Sequence, residues 1–137
     1  MIDIHCHILP GIDDGSSSLE ESVAMARFAA SCGITTIVAT PHHVPDIFPT
    51  TPKKILDALA TLTREIESRR VPVQILSGQE IHIEQNTAEK VADQSLLTIN
   101  YTNYVLLELP YSQIPPGTAQ TFFRMRISGF TPIIAHP

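Results

Sequence analysis

Five short β-rich runs separated by helical segments constrain this chain more than any other feature. They are residues 2–7, 35–40, 73–78, 104–109 and 132–137. Runs this short and this rich in Val, Ile and Leu read as buried strands, and their alternation with helices predicts a parallel α/β architecture. Ser18-Leu-Glu-Glu21 reads as a capping box that opens a helix ending at Gly33. Thr51 before Pro52 starts a second, with Ile55, Leu59, Leu62 and Ile66 on one stripe and an end near 70–72. A short helix is expected near Asn86, and another over 116–128, closed by Gly129. With no repeat and no linker composition, residues 1–137 read as one domain without an internal boundary.

In parallel α/β sheets and barrels the C-terminal ends of the strands carry the chemistry. Each of these runs ends in, or just before, a His or Glu: His5 and His7, His42, Glu80, Glu108 and His136. His5 and His7, two residues apart, should face the same side of the first strand. Asp3 is expected to share that face and orient one of them, and Cys6 to turn away as a buried structural thiol. Imidazole nitrogens mixed with carboxylates suit Mn²⁺, Fe or Zn²⁺ rather than Ca²⁺ or a structural Cys₄ zinc. Glu80 and Glu108 end apolar strands, where an unpaired charge is costly to bury, so a cation partner explains both and a bridging carboxylate allows a cluster. Such clusters suit phosphate-ester hydrolysis. Asp13 and Asp14 stay equivalent on spacing, because Asp-Asp-Gly is also an ordinary turn. His43 faces either a substrate or water, and His82 lies two residues past Glu80. Lys53, Lys54, Arg69 and Arg70 read as solvated helix surface.

Composition narrows the alternatives. Nine Lys and Arg against fourteen Asp and Glu give a net charge of -5, which offers no footprint for nucleic acid or an anionic membrane. No apolar run approaches the ~20 residues of a membrane span, and two cysteines without a CxxC or a secretory leader suit a reducing cytoplasm. A cysteine phosphatase needs an Arg six positions after its Cys, but Ile12 and Val38 occupy those places. The chain also lacks the glycine patterns of a P-loop, a nucleophile elbow or a dinucleotide site.

The segments Met-Ile-Asp-Ile-His-Cys-His-Ile-Leu-Pro-Gly-Ile-Asp-Asp-Gly, Ala-Thr-Pro-His-His, Gly-Gln-Glu-Ile, Leu-Leu-Glu-Leu-Pro and Pro-Ile-Ile-Ala-His-Pro closely resemble one family. It is the PHP-superfamily protein tyrosine phosphatases of bacterial capsule and exopolysaccharide loci, the CpsB/CapC type. The resemblance implies the N-terminal part, about five βα units, of a distorted TIM-like barrel. It further implies up to three metal ions, usually Mn²⁺, acting on the phosphotyrosine tail of a bacterial tyrosine kinase, and leaves an oligomer open. By motif, His5, His7 and Glu80 are implied ligands of one ion, and Glu80 bridges to a second held by Glu108 and His136. Asp14 and His42 are implied for the third, which favours Asp14 over Asp13, while His43 is the candidate catalytic residue. Family members continue past this point, adding an Arg after the His-Pro and a late Asp-x-His. Five strands do not close a barrel, and the fifth lacks its covering helix, so the sequence reads as truncated and little activity is expected of residues 1–137 alone. The alternatives are a histidinol-phosphate type of phosphoesterase, an amidohydrolase, for which a Lys rather than Glu108 is expected, and an inactive fragment.

Overall fold

The computed structural model of the chain describes residues 1–111 and 113–136; the expected end of the fifth run at Pro137 lies outside them. Seven strands are present among the described residues: β1 (Ile2–Cys6), β2 (Thr36–Ala39), β3 (His42–His43), β4 (Gln74–Ser77), β5 (Glu80–His82), β6 (Tyr104–Glu108) and β7 (Thr131–Ile134). Four helices cover them: α1 (Leu19–Ser31), α2 (Pro52–Ser68), α3 (Thr87–Ala92) and α4 (Thr118–Ile127). One sheet has the order β1-β2-β4 and the other β3-β5-β6-β7, all pairs parallel. Among the described residues no helix is long and apolar enough to cross a membrane.

The second and third β-rich runs form β2 and β4 within the expected bounds, and each is followed by a short further strand, β3 and β5, that the runs did not include. Pro41 has no N–H to give to a ladder, so the chain bends between β2 and β3. It bends again between β4 and β5 at Gly78-Gln79, where a Cβ on Gly78 would lie 2.7 Å from Val38 Cγ1. The Glu80 N–H donates to the Pro41 carbonyl at 3.0 Å, which ties the two bends together. Because β2 leads into β3 and β4 into β5, the strands follow chain order from one sheet to the next. Order does not reverse, unlike in a doubly wound sheet.

Local signals explain most helix ends. The Ser18 hydroxyl accepts the Glu21 N–H at 3.2 Å, but the Glu21 carboxylate reaches the N–H and hydroxyl of Ser17, both at 2.7 Å, so the capping box closes one residue early. Gly33, at φ +84°, closes α1: its N–H bonds the Ala30 carbonyl, and Ile34 N–H bonds Ala29, both at 3.0 Å. The expectation for Arg69 needs correction. Its guanidinium pairs with Glu65 and bidentately with Glu20, joining the end of α2 to the start of α1.

Two apolar clusters hold the layers together. Ile8, Leu9, Val23, Ile37, Ile55, Leu62 and Ile75 unite α1 and α2 with the first sheet. Ile81, Val91, Val105, Leu107 and Met125 unite α3 and α4 with the second. Alternation then points Ile81 and Leu107 toward the helices while Glu80 and Glu108 face the opposite side. The edge strands β1 and β7 each pair with one neighbour. Ile2, Ile4 and Ile134 are exposed there.

Candidate metal centre

Side chains from five segments meet at the C-terminal ends of these strands. His5 and His7 leave β1 with their Nε2 atoms 3.2 Å apart. Register places His42 of β3 level with Glu80 of β5, and His82 level with Glu108 of β6. Glu80 is the hub. Its Oε2 lies 3.0 Å from His5 Nε2, 3.1 Å from His7 Nε2 and 3.2 Å from His42 Nδ1. Its Oε1 accepts from His136 Nε2 at 2.9 Å. Glu108 stands beyond it, 3.6 Å from His42 and 3.5 Å from His82.

At Glu80 Oε2 and His42 Nδ1 close approach is not hydrogen bonding. Glu80 Oε2 and His42 Nδ1 are fully buried, and neither finds a hydrogen-bond partner among the described residues. Leaving such groups unpaired costs ~1–3 kcal/mol each, more when charged. Donor atoms about 3 Å apart are what neighbouring ligands show when each sits roughly 2.0–2.2 Å from one ion. The residues therefore fit divalent metal. Three overlapping groupings converge closely enough to hold an ion: His5 with His7 and Glu80, His7 with Asp14 and His42, and His42 with Glu80 and Glu108. Together they contain six of the seven residues expected from sequence. His136 contacts Glu80 but stands outside the groupings, with its backbone at φ +28°.

The Asp-Asp-Gly loop is folded onto His7. Ser16 N–H donates to the His7 carbonyl at 3.0 Å, and a Cβ on Gly15 would sit 2.3 Å from both His7 Cβ and its carbonyl oxygen. The turn reading of this tripeptide thus missed its main requirement, a close backbone approach. Asp14 is 65% exposed and 3.6 Å from His42 Nε2, whereas the Asp13 side chain has no exposed surface and accepts from His7 Nδ1 at 2.7 Å. Asp3 is a correction. Register slips by one residue between Asp3 and Cys6, which breaks the expected alternation. Asp3 instead lines an apolar cavity with Cys6, Ile8 and Phe28, and accepts the backbone N–H of His5 rather than a ring.

Cys6 is half-buried and packed against the first core, as expected. Burial, then Asp3 and Asp13, push its thiol up to about 11, so it is no nucleophile at neutral pH. His43 does not join the cluster: it pairs with Ile81, opposite in alternation to His42, and its Nδ1 bonds the Thr50 carbonyl at 2.9 Å.

Sequence reasoning passed over Gln79. This fully buried amide donates to the Thr50 carbonyl and hydroxyl at 3.2 and 2.9 Å and accepts the Leu97 N–H at 3.0 Å. Thr50 in turn donates to the His42 carbonyl at 2.6 Å. A polar residue inside an apolar run, beside Glu80, was the available signal. Gln79→Leu keeps the volume but strands these partners, and is expected to cost about 2–4 kcal/mol in urea unfolding. A loss under about 0.5 kcal/mol would show that the network does not hold the site.

Charge follows from the same contacts. Burial opposes the charged form of His7, but Asp13 and Glu80 outweigh it and push the imidazole up to about 10. Burial would raise Asp13, yet His7 and the N–H groups of His42 and Gly15 hold it low. Glu80 is likewise held low by His5 and His7 against its burial. In the metal-free chain the His7 contribution is complete below its ordinary 6.5 and is lost as pH rises toward about 10. The Asp13 contribution is present above its ordinary 3.8 and is lost as pH falls beneath it. Metal-free stability is thus expected to peak between about pH 4 and 6.5. Metal needs the His7 lone pair, so binding should release a proton and tighten as pH rises from about 6 to 8. Calorimetric titration in buffers of different ionisation enthalpy measures both, and affinity falling over that range would contradict it.

Fold and site together define a parallel α/β protein with an imidazole- and carboxylate-lined centre suited to metal ions. A family model described as capsular polysaccharide synthesis, CpsB/CapC, matches residues 1–137. The chain belongs to that family. It is 40% identical over its whole length to the tyrosine-protein phosphatase YwqE of Bacillus subtilis strain 168, covering 54% of that protein. Its identity to the putative tyrosine-protein phosphatase CapC of Staphylococcus aureus is 36%, again over 54% of the relative. A solved chain described with YwqE and the Streptococcus pneumoniae CpsB as unique metal-dependent tyrosine phosphatases superposes with a TM-score of 0.96 at 40% identity. The match covers all of this chain and 56% of that one, so the chain spans just over half the length of these relatives.

Proposed function

We propose that this chain carries the metal centre of a cytoplasmic protein tyrosine phosphatase that hydrolyses phosphotyrosine on a bacterial tyrosine kinase controlling capsule or exopolysaccharide synthesis. The observation that carries the proposal is Glu80 Oε2, buried without a hydrogen-bond partner among the described residues and faced by three imidazole nitrogens. The sequential, all-parallel strand order supports an arc of a TIM-like barrel, whose sites form at the C-terminal strand ends. His5, His7 and Glu80 would hold one ion, Glu80 and Glu108 with His136 a second, and Asp14 with His42 a third. Mn²⁺, which the family resemblance implies, is the metal we assign, and the nitrogen and oxygen donors without thiolate suit it as they suit Fe or Zn²⁺. When bound, such ions supply a water nucleophile near neutral pH and neutralise charge on phosphoryl oxygens.

The protein's own groups set the rest. Asp13, through His7 Nδ1, directs the His7 Nε2 lone pair inward, and the Gln79–Thr50 pair holds the His42 backbone. His43 is braced by Thr50, and we assign it no step. The test is phosphate release by the chain from a phosphotyrosine peptide and from histidinol phosphate, with Mn²⁺ and with chelator. Release from the peptide that depends on Mn²⁺ is expected. Preference for histidinol phosphate, or release indifferent to chelator, overturns the proposal.

A further inference from the structure

Asp13 belongs to none of the donor groupings, yet each hydrogen bond of its enclosed side chain ends on the site or its loop. Oδ2 accepts from His7 Nδ1 at 2.7 Å and from the backbone N–H of His42 at 2.9 Å, and Oδ1 from Gly15 N–H at 3.1 Å. These two histidines are special. Each belongs to two of the three groupings, so every grouping contains His7, His42 or both. An imidazole that donates through Nδ1 offers Nε2 as a lone pair, and His7 Nε2 is the atom facing His5 and Glu80. The bond to His42 acts on main chain instead, and sets where β3 stands relative to the loop after β1.

On the reading of this site as a metal centre, we infer that Asp13 is a positioning residue that locks the tautomer of His7 and the place of His42 together, so that the overlapping metal sites are held as one unit. Its neighbour Asp14 acts differently, being exposed, in one grouping only, with His7 and His42, and 3.6 Å from His42 Nε2. Adjacent carboxylates thus divide the work, Asp14 as a donor to one ion and Asp13 as the brace for all.

Asn at position 13 keeps the shape but cannot satisfy every partner. If its oxygen faces His7 and His42, its amide opposes the Gly15 N–H; if flipped, its amide faces His7 Nδ1 and forces the ring proton onto Nε2. The test titrates Mn²⁺ alone, and separately Zn²⁺ alone, into the whole chain as wild type, Asp13→Asn and Asp14→Asn, with unfolding of each metal-free form showing that it is folded. Asp13→Asn is expected to weaken every bound equivalent by about 10–100-fold. Asp14→Asn is expected to lose one equivalent and leave the rest at wild-type affinity. Nitrogen NMR of the Zn²⁺ form should show a His7 Nδ1–H in a strong hydrogen bond in wild type and Asp14→Asn, and a shifted or lost Nδ1–H signal in Asp13→Asn. Wild-type affinities in Asp13→Asn, or loss of a single equivalent there, overturn the inference. Metal binding in this pattern without phosphotyrosine hydrolysis defeats the phosphatase reading and leaves the positioning role standing. A wild-type chain that binds neither metal overturns both.

Discussion

Glu80→Gln is expected to abolish tight metal binding while leaving the secondary structure intact. The wild-type carboxylate faces three imidazole nitrogens with one oxygen and His136 with the other, so no other side chain touches as much of the site. A carboxamide offers one acceptor where two are used, and aims an N–H₂ at the remaining partners. Residues that merely orient ligands typically cost 10–100-fold when changed, and a shared ligand should exceed the upper end, about 100-fold. Metal content after dialysis measures this directly, alongside circular dichroism of the variant. Wild-type metal content in Glu80→Gln would remove Glu80 from the centre and with it the main support for the proposed chemistry.

Gly15→Ala should produce the second large effect, on stability as well as on the site. Its Cβ would meet the Cβ and carbonyl oxygen of His7 at 2.3 Å, and a backbone neighbour cannot swing aside as a side-chain tip can. Overpacking of this kind costs about 1–3 kcal/mol, occasionally more, equivalent to a fall in Tm on the order of 5–10 °C in a chain this size. The same displacement moves His7 away from Asp13 and Glu80, so metal affinity should drop about tenfold or more. Gly11→Ala is the control. Gly11 has φ +63° but no atom within 4 Å of an added Cβ, so it should show only left-handed strain, about 1 kcal/mol. Equal losses in the two variants would mean that the approach to His7 is not what requires glycine.

Sequence and structure part company at identifiable residues. The His5 and His7 pair was legible because period-two spacing is local, and the helix ends at Gly33 and Gly129 because a left-handed cap is a local demand. Asp3 was misplaced because the register slip in β1 depends on its pairing with β2, which no window of β1 residues contains. Arg70 caps α2 at φ +52° where a glycine would be the readable signal. Gln79 and Thr50 lie 29 residues apart and share a hydrogen bond that neither neighbourhood announces.

By itself, then, the sequence determined the alternation of strands and helices, the end of each strand at which His and carboxylate side chains gather, and six candidate residues that the fold brings into overlapping groupings. Only the tertiary structure decided that Asp13 braces while Asp14 stays exposed, that His43 turns to Thr50, and that Gly15 is needed for contact rather than for turning. The reason is physical. Residue type and spacing report forces that act within a few residues, whereas a buried carboxylate's partners, a one-residue register slip and a close backbone approach exist only once distant strands have paired.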